Sequence, residues 1–160
     1  MLTHFRGEEK LSPSYTYQLD VVSDRSQTDV NALLGKPASI QLCQEAAAPR
    51  YFHGRIFKVT QHGSASPLFR DYKLTLVPGW HFLSLHTDCR IFQRQSVIDI
   101  FKTVCRDQRF SDYNLTGLTK TYPPINYCVQ YRETHQDFLQ RLLENAGIYY
   151  YFKMAQNKHT

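Results

Sequence analysis

The chain has 160 residues, of which 42% are hydrophobic and 21% charged, and its 19 Lys and Arg outnumber its 14 Asp and Glu for a formal net charge of +5. This composition excludes a disordered polar tail, and no apolar run reaches the ~20 residues that a membrane-spanning helix requires. The length suits one moderate domain, or one domain and part of another.

Short strands are predicted through the first half of the chain. Apolar and polar residues alternate, with the period of a strand that has one buried face, over residues 14–21, 38–43, 51–60 and 69–77. Asp29, a short apolar stretch and Gly35 predict one or two helical turns after the first strand. Residues 63–67 are predicted to form a turn. Strands at this spacing predict a small antiparallel barrel or sandwich.

Two capped helices are predicted in the second half, near residues 96–107 and 134–146. Each begins with a hydroxyl side chain and an acid three residues later, the capping-box spacing, and Gly147 is predicted to end the second helix in a left-handed conformation. Helical spacing predicts the apolar faces Ile98, Phe101, Val104 and Cys105 in the first, and Phe138, Leu139, Leu142 and Leu143 in the second.

Two further strands are predicted around the second helix, at residues 127–131 and 148–153. The predicted fold class is therefore α+β, with an antiparallel β-barrel followed by an α/β region that contains the two capped helices. The predicted boundary lies between residues 85 and 86, so that the two parts are residues 1–85 and 86–160.

No constellation of residues predicts a catalytic centre or a cofactor site. Cys128, His135 and Asp137 contain the ingredients of an activated thiol, but Asp137 is better explained as a helix cap. Glu133 and Glu144 are better explained as residues of a solvated face than as a glycosidase pair. We therefore predict that the chain is not an enzyme and binds no cofactor.

Metal binding is also not predicted. The spacing of the potential ligands His81, His86, Cys89 and Cys105 matches no common structural zinc site. The four cysteines, which include Cys43 and Cys128, contain no C-x-x-C pair and are predicted to be free thiols.

The basic residues form no continuous stripe. Arg90, Arg94, Arg106 and Arg109 come closest, but acidic residues are interleaved with them, which favours a mixed surface over a nucleic-acid site. A nucleic-acid or effector-binding adaptor remains an alternative. The aromatic fraction of 14% suits strands and contact surfaces instead.

An ordered series of motifs extends over nearly the whole chain. The most specific are DCRIFQ at residues 88–93, YPPINYCVQYRE at residues 122–133, and the helix and aromatic run that follow. With these motifs the chain resembles the VgrG spike proteins of type VI secretion systems, also called Rhs element Vgr proteins. The motif residues singled out as structural candidates are Asp88, Cys89, Arg90, Phe92, Tyr127, Cys128, Tyr131, Arg132, Glu133, Asp137 and Gly147. Among them, Arg90, Arg132 and Glu133 are candidates for buried or interfacial ion pairs, or for ordinary exposed pairs.

The resemblance implies a fold similar to the tail-hub protein of contractile bacteriophages, with a hub barrel and an α/β insertion. It also implies a structural function, in which a homotrimer joins the tail tube to the puncturing needle for effector delivery. A hub or baseplate protein of a contractile phage or phage-like particle is the alternative.

The implied partners are the tail-tube protein and baseplate components, with effectors or a needle-tip protein in addition and no nucleic acid. Contact with a target-cell membrane is implied only through the needle. The second hub barrel, the oligonucleotide/oligosaccharide-binding-type barrel and the needle of the family are not in these 160 residues, so the resemblance implies a fragment. No signal peptide is predicted; the implied location is the cytoplasm during assembly, followed by secretion.

Overall fold

The computed structural model describes residues 1–12, 14–24, 29–43, 47–63 and 69–160. The predicted turn at 63–67 lies outside these residues except for Gly63. The chain divides into two compact units, Met1–Pro78 with Phe152–His159, and Gly79–Tyr151 with Thr160. This grouping begins the second unit before the predicted boundary after residue 85, and it returns the last residues of the chain to the first unit.

A five-stranded antiparallel sheet forms the first unit. Its strands are β1 (Leu2–Glu8), β2 (Thr16–Ser23), β3 (Pro37–Leu42), β4 (Arg50–His62) and β5 (Arg70–Val77). They are ordered β1-β2-β5-β4-β3, so that β1 and β3 are the edges. A short helix, α1 (Val30–Leu33), precedes β3, and the Asp29 carboxylate accepts hydrogen bonds from the amides of its first turn.

Aromatic and aliphatic side chains on one face of this sheet form a core. Its buried members are Tyr15, Tyr17, Leu19, Ile40, Phe52, Ile56 and Leu76. The Tyr17 hydroxyl donates to a Glu9 carboxylate oxygen, and burial, reinforced by this hydrogen bond, raises the pKa of Tyr17. The strands β4 and β5 approach closely at Gly54, where an added Cβ would lie 3.0 Å from the Cβ of Leu76.

The second unit combines a two-stranded antiparallel ribbon with two helices. A 3-10 helix (Gly79–Leu85) leads into β6 (Thr87–Gln95), which pairs with β7 (Ile125–Thr134). Helix α2 (Val97–Asp107) follows β6, and helix α3 (His135–Asn145) follows β7.

Side-chain caps open both helices of the second unit. The Ser96 hydroxyl accepts from the Asp99 amide while the Asp99 carboxylate accepts from the Ser96 amide, a complete capping box. The Ser96 hydroxyl and amide both donate to the Asp99 carboxylate, and these two hydrogen bonds lower the pKa of Asp99. At α3 the Thr134 hydroxyl accepts from the Asp137 amide.

The buried faces of α2 and α3 contain most of the residues expected from helical spacing. In α3 all four predicted residues are buried, whereas in α2 the buried residues are Val97, Ile100, Phe101, Val104 and Cys105. Ile98, predicted for the α2 face, is only half-buried. Val97 and Ile100 are buried with the other three predicted residues because Val97, Ile100, Phe101, Val104 and Cys105 follow the i, i+3, i+4, i+7, i+8 spacing of one helix face.

Helix α3 ends in a Schellman arrangement. Gly147 has a φ of 69°, as predicted, and its amide donates to the Glu144 carbonyl oxygen while the Ile148 amide donates to the Leu143 carbonyl oxygen. The left-handed residue turns the chain out of the helix and satisfies the last carbonyl groups.

The strand predicted at residues 148–153 is wrong, because the segment is not part of a β-ladder. Its alternation has another physical cause: Tyr150 packs against Trp80 in the second unit, and Phe152 packs edge-on against Tyr15 in the first. A short hairpin, β8 (Met154–Ala155) with β9 (Lys158–His159), follows it.

Among the described residues, no helix is long and apolar enough to cross a membrane.

The fold is mixed α/β, with an antiparallel sheet in the first unit and a ribbon with helices in the second.

Candidate functional site

The most specific motifs of the sequence meet in the β6–β7 ribbon. Residues 88–93 belong to β6 and residues 125–133 to β7, and the register places Phe92 opposite Cys128 and Cys89 opposite Tyr131. Phe92 and Cys128 are buried, and the Phe92 ring stacks on Phe138 of α3 at a centroid distance of 5.6 Å. The inner face of the ribbon thus packs against the helix that follows it.

The outer face of the ribbon is exposed and contains large apolar side chains. Ile91, Tyr127 and Tyr131 are each more than half exposed, and Cys89 is exposed beside Tyr131. We call Cys89, Ile91, Tyr127 and Tyr131 the outer ribbon face. Tyrosine at an exposed position combines a large contact area with few rotatable bonds, which is typical of contact surfaces.

A β-bulge interrupts the ribbon at Arg132. Asp88 pairs with Glu133 and Cys89 with Tyr131, so that Arg132 is the additional residue, with a φ of 50°. Its guanidinium lies 5.3 Å from the centre of the Tyr131 ring. Among the described residues of this chain Arg132 forms no salt bridge, and its place in an interfacial ion pair stays a prediction.

Gln130 fixes the bulge from the inside. Its side chain is fully buried, and its Nε2 donates to the Glu133 carbonyl oxygen at 3.0 Å and lies 3.1 Å from Nδ1 of His135. The His135 amide in turn donates to the His86 carbonyl oxygen. Burial lowers the pKa of His135, which favours the neutral imidazole that this contact needs.

Two ion pairs join the ribbon to the helices. Arg90 donates to Asp107 of α2 at 2.7 Å, and this hydrogen bond lowers the pKa of Asp107. Arg141 of α3 donates to both carboxylate oxygens of Glu133, at 2.5 and 3.2 Å, and also to the Val129 carbonyl oxygen. Because all four side chains remain partly exposed, each pair is worth about 1 kcal/mol or less.

The remaining motif residues have local structural contacts. The Asp88 carboxylate accepts from the Cys89 amide, Asp137 lies in the first turn of α3, and Gly147 ends that helix. The sequence did not single out Gln130 or Arg141. In the sequence, Gln130 is a polar residue of an alternating strand and Arg141 is an arginine on a helix face. Both features are common in mixed folds, so they do not distinguish these residues from others.

The two buried thiols of the second unit, Cys105 and Cys128, are poorly suited to nucleophilic chemistry. Burial raises the pKa of Cys128, and it raises the pKa of Cys105 to about 12. A raised pKa keeps the less reactive thiol form at neutral pH. His135 contacts Gln130, and Asp137 contacts the cap, so the structure gives each of the residues considered for an activated thiol a packing or capping contact.

The positive charge around α2 is partly neutralised. Asp107 is within ion-pair distance of both Arg90 and Arg106, two of the four arginines considered as an anion-binding patch. In the part of the chain that the structure describes, no group of three or more His, Cys, Asp or Glu could hold a metal ion.

Comparison with known families decides what this fold and these motifs belong to. Residues 8–160 match the family described as phage tail baseplate hub (GPD). The chain belongs to this family.

Curated relatives give the more specific likeness. The type VI secretion system spike proteins VgrG1b and VgrG1c of Pseudomonas aeruginosa are each 42% identical over 158 residues, covering 99% of this chain. The actin cross-linking toxin VgrG1 of Vibrio cholerae is 32% identical over 165 residues and covers 98% of the chain. The resemblance to VgrG spike proteins is thereby confirmed. The chain spans only 21% of VgrG1b and 15% of the V. cholerae protein, about a fifth or less of each.

Solved structures show the same fold. The E. coli c3393 protein, described as a type VI secretion component with structural similarity to the T4 tail proteins gp27 and gp5, superposes with a TM-score of 0.85 at 24% identity, covering 99% of this chain and 44% of that one. The Francisella PdpA–VgrG complex gives a TM-score of 0.71 at 16% identity, covering 97% of this chain and 25% of that one.

Proposed function

We propose that this chain is the N-terminal, tail-hub-like region of a type VI secretion spike and that its function is assembly, with no chemical step. The observation that carries the proposal is the match of residues 8–160 to the tail baseplate hub family together with 42% identity to VgrG spike proteins over 99% of the chain. The raised pKa values of the buried thiols and the structural contacts of the motif residues support a structural role.

The proposed assembly is a ring of three subunits between the tail tube and the needle, delivered with the spike by type VI secretion. A ring closes when each subunit offers two different surfaces to its neighbours. The sheet of the first unit has two edge strands, β1 and β3, and unpaired edges in an assembled protein are normally paired or covered. We expect these edges to be covered in the complete spike, which would extend the sheet into a closed hub barrel.

The outer ribbon face is the proposed contact of the second unit with a neighbouring subunit. Its Tyr131 is 65% exposed and Ile91 60% exposed, although both belong to the most specific motifs of the chain. Buried apolar area of this kind stabilises an interface by roughly 25 cal/mol per Å² before the costs of association are subtracted.

The second candidate is the hub of a contractile phage or phage-like particle. The family description names a phage tail, and a prophage tail protein from Shewanella oneidensis shares the fold with a TM-score of 0.54 at 14% identity, covering 91% of this chain and 45% of that one. The greater identity to VgrG spike proteins favours the secretion spike.

The test is the mass in solution of a chimera in which this chain replaces the corresponding N-terminal region of VgrG1b. Sedimentation equilibrium should give three subunits. A chimera with both Ile91→Ser and Tyr131→Ser should keep its fold and shift toward monomer, whereas Lys102→Ser, an exposed residue of α2, should leave the trimer unchanged. A folded monomeric chimera would contradict the proposed assembly, and a trimer unaffected by the double substitution would contradict the proposed contact.

A further inference from the structure

Two histidines make direct contact inside the first unit. His53 of β4 and His159 of β9 have relative exposures of 6% and 5%, and their Nδ1 atoms lie 2.7 Å apart. The two rings are tilted by 42° to each other, with centroids 5.0 Å apart. The distance is that of a hydrogen bond between the two imidazoles.

This hydrogen bond sets a limit on the charge of the pair. An imidazole nitrogen donates when it is protonated and accepts when it is bare, so one of the two Nδ1 atoms must be bare. A cationic imidazole is protonated on both nitrogens. The contact therefore exists when the pair has no charge or one charge, and it cannot exist when both rings are cationic.

The same contact holds the hairpin of β8 and β9 in place. The hairpin has only two residue pairs, Met154 with His159 and Ala155 with Lys158, and a hairpin of this size is not stable alone. Its attachment includes ring contacts around Tyr15, which packs edge-on against both Phe152 and His159, and the packing of Met154 against the core of the first unit. The Tyr15 hydroxyl donates to the His53 carbonyl oxygen at 2.7 Å, so the same tyrosine also fixes the β4 backbone.

We infer that the His53–His159 contact is a pH-sensitive latch that holds the C-terminal hairpin on the first unit near neutral pH and releases it in mildly acidic solution. The inference rests on the pair itself and is independent of the proposed function.

The number of protons that each state can bind gives the direction of the pH effect. The latched state accepts at most one proton on the two imidazoles, whereas the released state accepts two. Histidines in water take up protons as the pH falls through about 6.5, so acid favours the released state. The ratio of released to latched hairpin should then rise by up to about tenfold for each pH unit below about 6.5.

Other charged or titratable side chains on the packed elements change this balance little between pH 7.5 and 5. The groups on β4, on the segment before β2 and on the returning segment are Glu9, Lys10, Tyr15, Arg50, Tyr51, Arg55, Lys58, His62, Lys153 and Lys158. Arginine, lysine and tyrosine titrate above this range and carboxylates below it. His62 is an exposed histidine of β4 and serves as the control.

The test is amide hydrogen exchange of the 160-residue chain, read by NMR at pH 7.5 and 5.0, with each rate divided by its intrinsic rate. Protection of residues 154–159 should fall at least tenfold at pH 5.0, while β2 and β5 stay protected. Unchanged protection of the hairpin would overturn the inference. A loss of protection shared equally by β2 and β5 would also overturn it, because that result indicates global unfolding.

Variants separate the latch from general acid sensitivity. In His159→Gln the neutral amide can still hydrogen-bond His53 in either charge state, so the hairpin should stay protected at pH 7.5 and no longer respond to acid. The matched control His62→Gln should respond like the unmodified chain. If His159→Gln detaches the hairpin at pH 7.5, His53→Gln provides the same comparison, and an acid response that persists in a variant with a protected hairpin would overturn the latch.

Discussion

At the scale of single residues, Gln130 explains how the ribbon and α3 keep their geometry. The Nε2 group of this fully buried amide contacts both the bulge, through the Glu133 carbonyl, and the first residue of α3, through His135. Its Oε1 is buried with no hydrogen-bond partner among the described residues, so only the Nε2 half of the amide is satisfied. The bulge at Arg132, the turn into α3 and the position of Glu133 for Arg141 therefore depend on one side chain.

We predict that Gln130→Ala destabilises the second unit by about 2–4 kcal/mol, because it leaves a cavity and removes the partner of a buried carbonyl and a buried imidazole. Urea unfolding followed by the fluorescence of Trp80, the single tryptophan, measures the change. Gln93→Ala, on the exposed side of the same ribbon, is the control and should change stability by less than about 0.5 kcal/mol. Equal effects of the two substitutions would contradict this role.

A second residue-scale prediction concerns pH and His135. Because burial lowers the pKa of this imidazole in the folded protein, the unfolded chain binds more protons near pH 6, and stability should fall as the pH decreases through about 6.5. Two exposed carboxylates act at lower pH: hydrogen bonds lower the pKa values of Asp99 and Asp107, so the stability that these groups contribute is lost only below about pH 4.

The measurement is the urea midpoint of the Trp80 signal at pH 7.5 and 5.5, which should be lower at pH 5.5. His135→Gln should reduce the difference between the two midpoints. His81, whose pKa burial also lowers, acts in the same range and with the same sign, so His81→Gln should leave a residual dependence due to His135. A pH dependence that is identical with and without His135 would show that its burial does not control the titration.

At the scale of secondary-structure elements, the sequence predicted those strands that have a regular local alternation of apolar and polar residues. Alternation located β2, β3, β4 and β5, because each has one face in the aromatic core. The strand β1 was not predicted, since its sequence Leu2–Glu8 has no regular alternation and its place in the sheet comes from pairing with β2. Residues 148–153 alternate as a strand does, but their inward residues pack in cores and their backbone enters no ladder.

The candidate site was predicted only in part for a related reason. Motifs indicated the ribbon residues, and period-two alternation indicated which face of β7 is buried. The partners of those residues come from the helices that follow each strand: Asp107 of α2 for Arg90, and Arg141 of α3 for Glu133. Such contacts depend on the tertiary fold, which spacing along one strand does not encode.

An element-scale prediction follows from the close approach of β4 and β5. Gly54→Ala should destabilise the first unit by about 1–3 kcal/mol, because the new Cβ would lie 3.0 Å from the Leu76 Cβ and 3.1 Å from the Val77 carbonyl oxygen. Gly63→Ala, where an added Cβ meets no atom of the described residues within 4 Å, is the matched control and should be near neutral. Thermal unfolding by circular dichroism compares the two, and equal melting temperatures would show that the strands can separate without cost.

At the scale of the whole molecule, the chain is a member of the phage tail baseplate hub family. The fold has a sheet with two edges and a ribbon with an exposed aromatic face, and these are features of a part that is completed by neighbours. The chain corresponds to about a fifth of the length of VgrG1b. The role of the chain in a complete spike, with its needle and its partners, is therefore part of the proposed function.

The most direct test of the central claim is secretion of the VgrG1b chimera that contains this chain as its N-terminal region. In a Pseudomonas aeruginosa strain with active type VI secretion and no VgrG1b of its own, the chimera should be found in the culture medium. It should stay in the cells of a matched strain in which the secretion system is inactive. A chimera that folds and forms trimers but stays inside the cells of the active strain would contradict the claim that this chain is the hub region of a secretion spike.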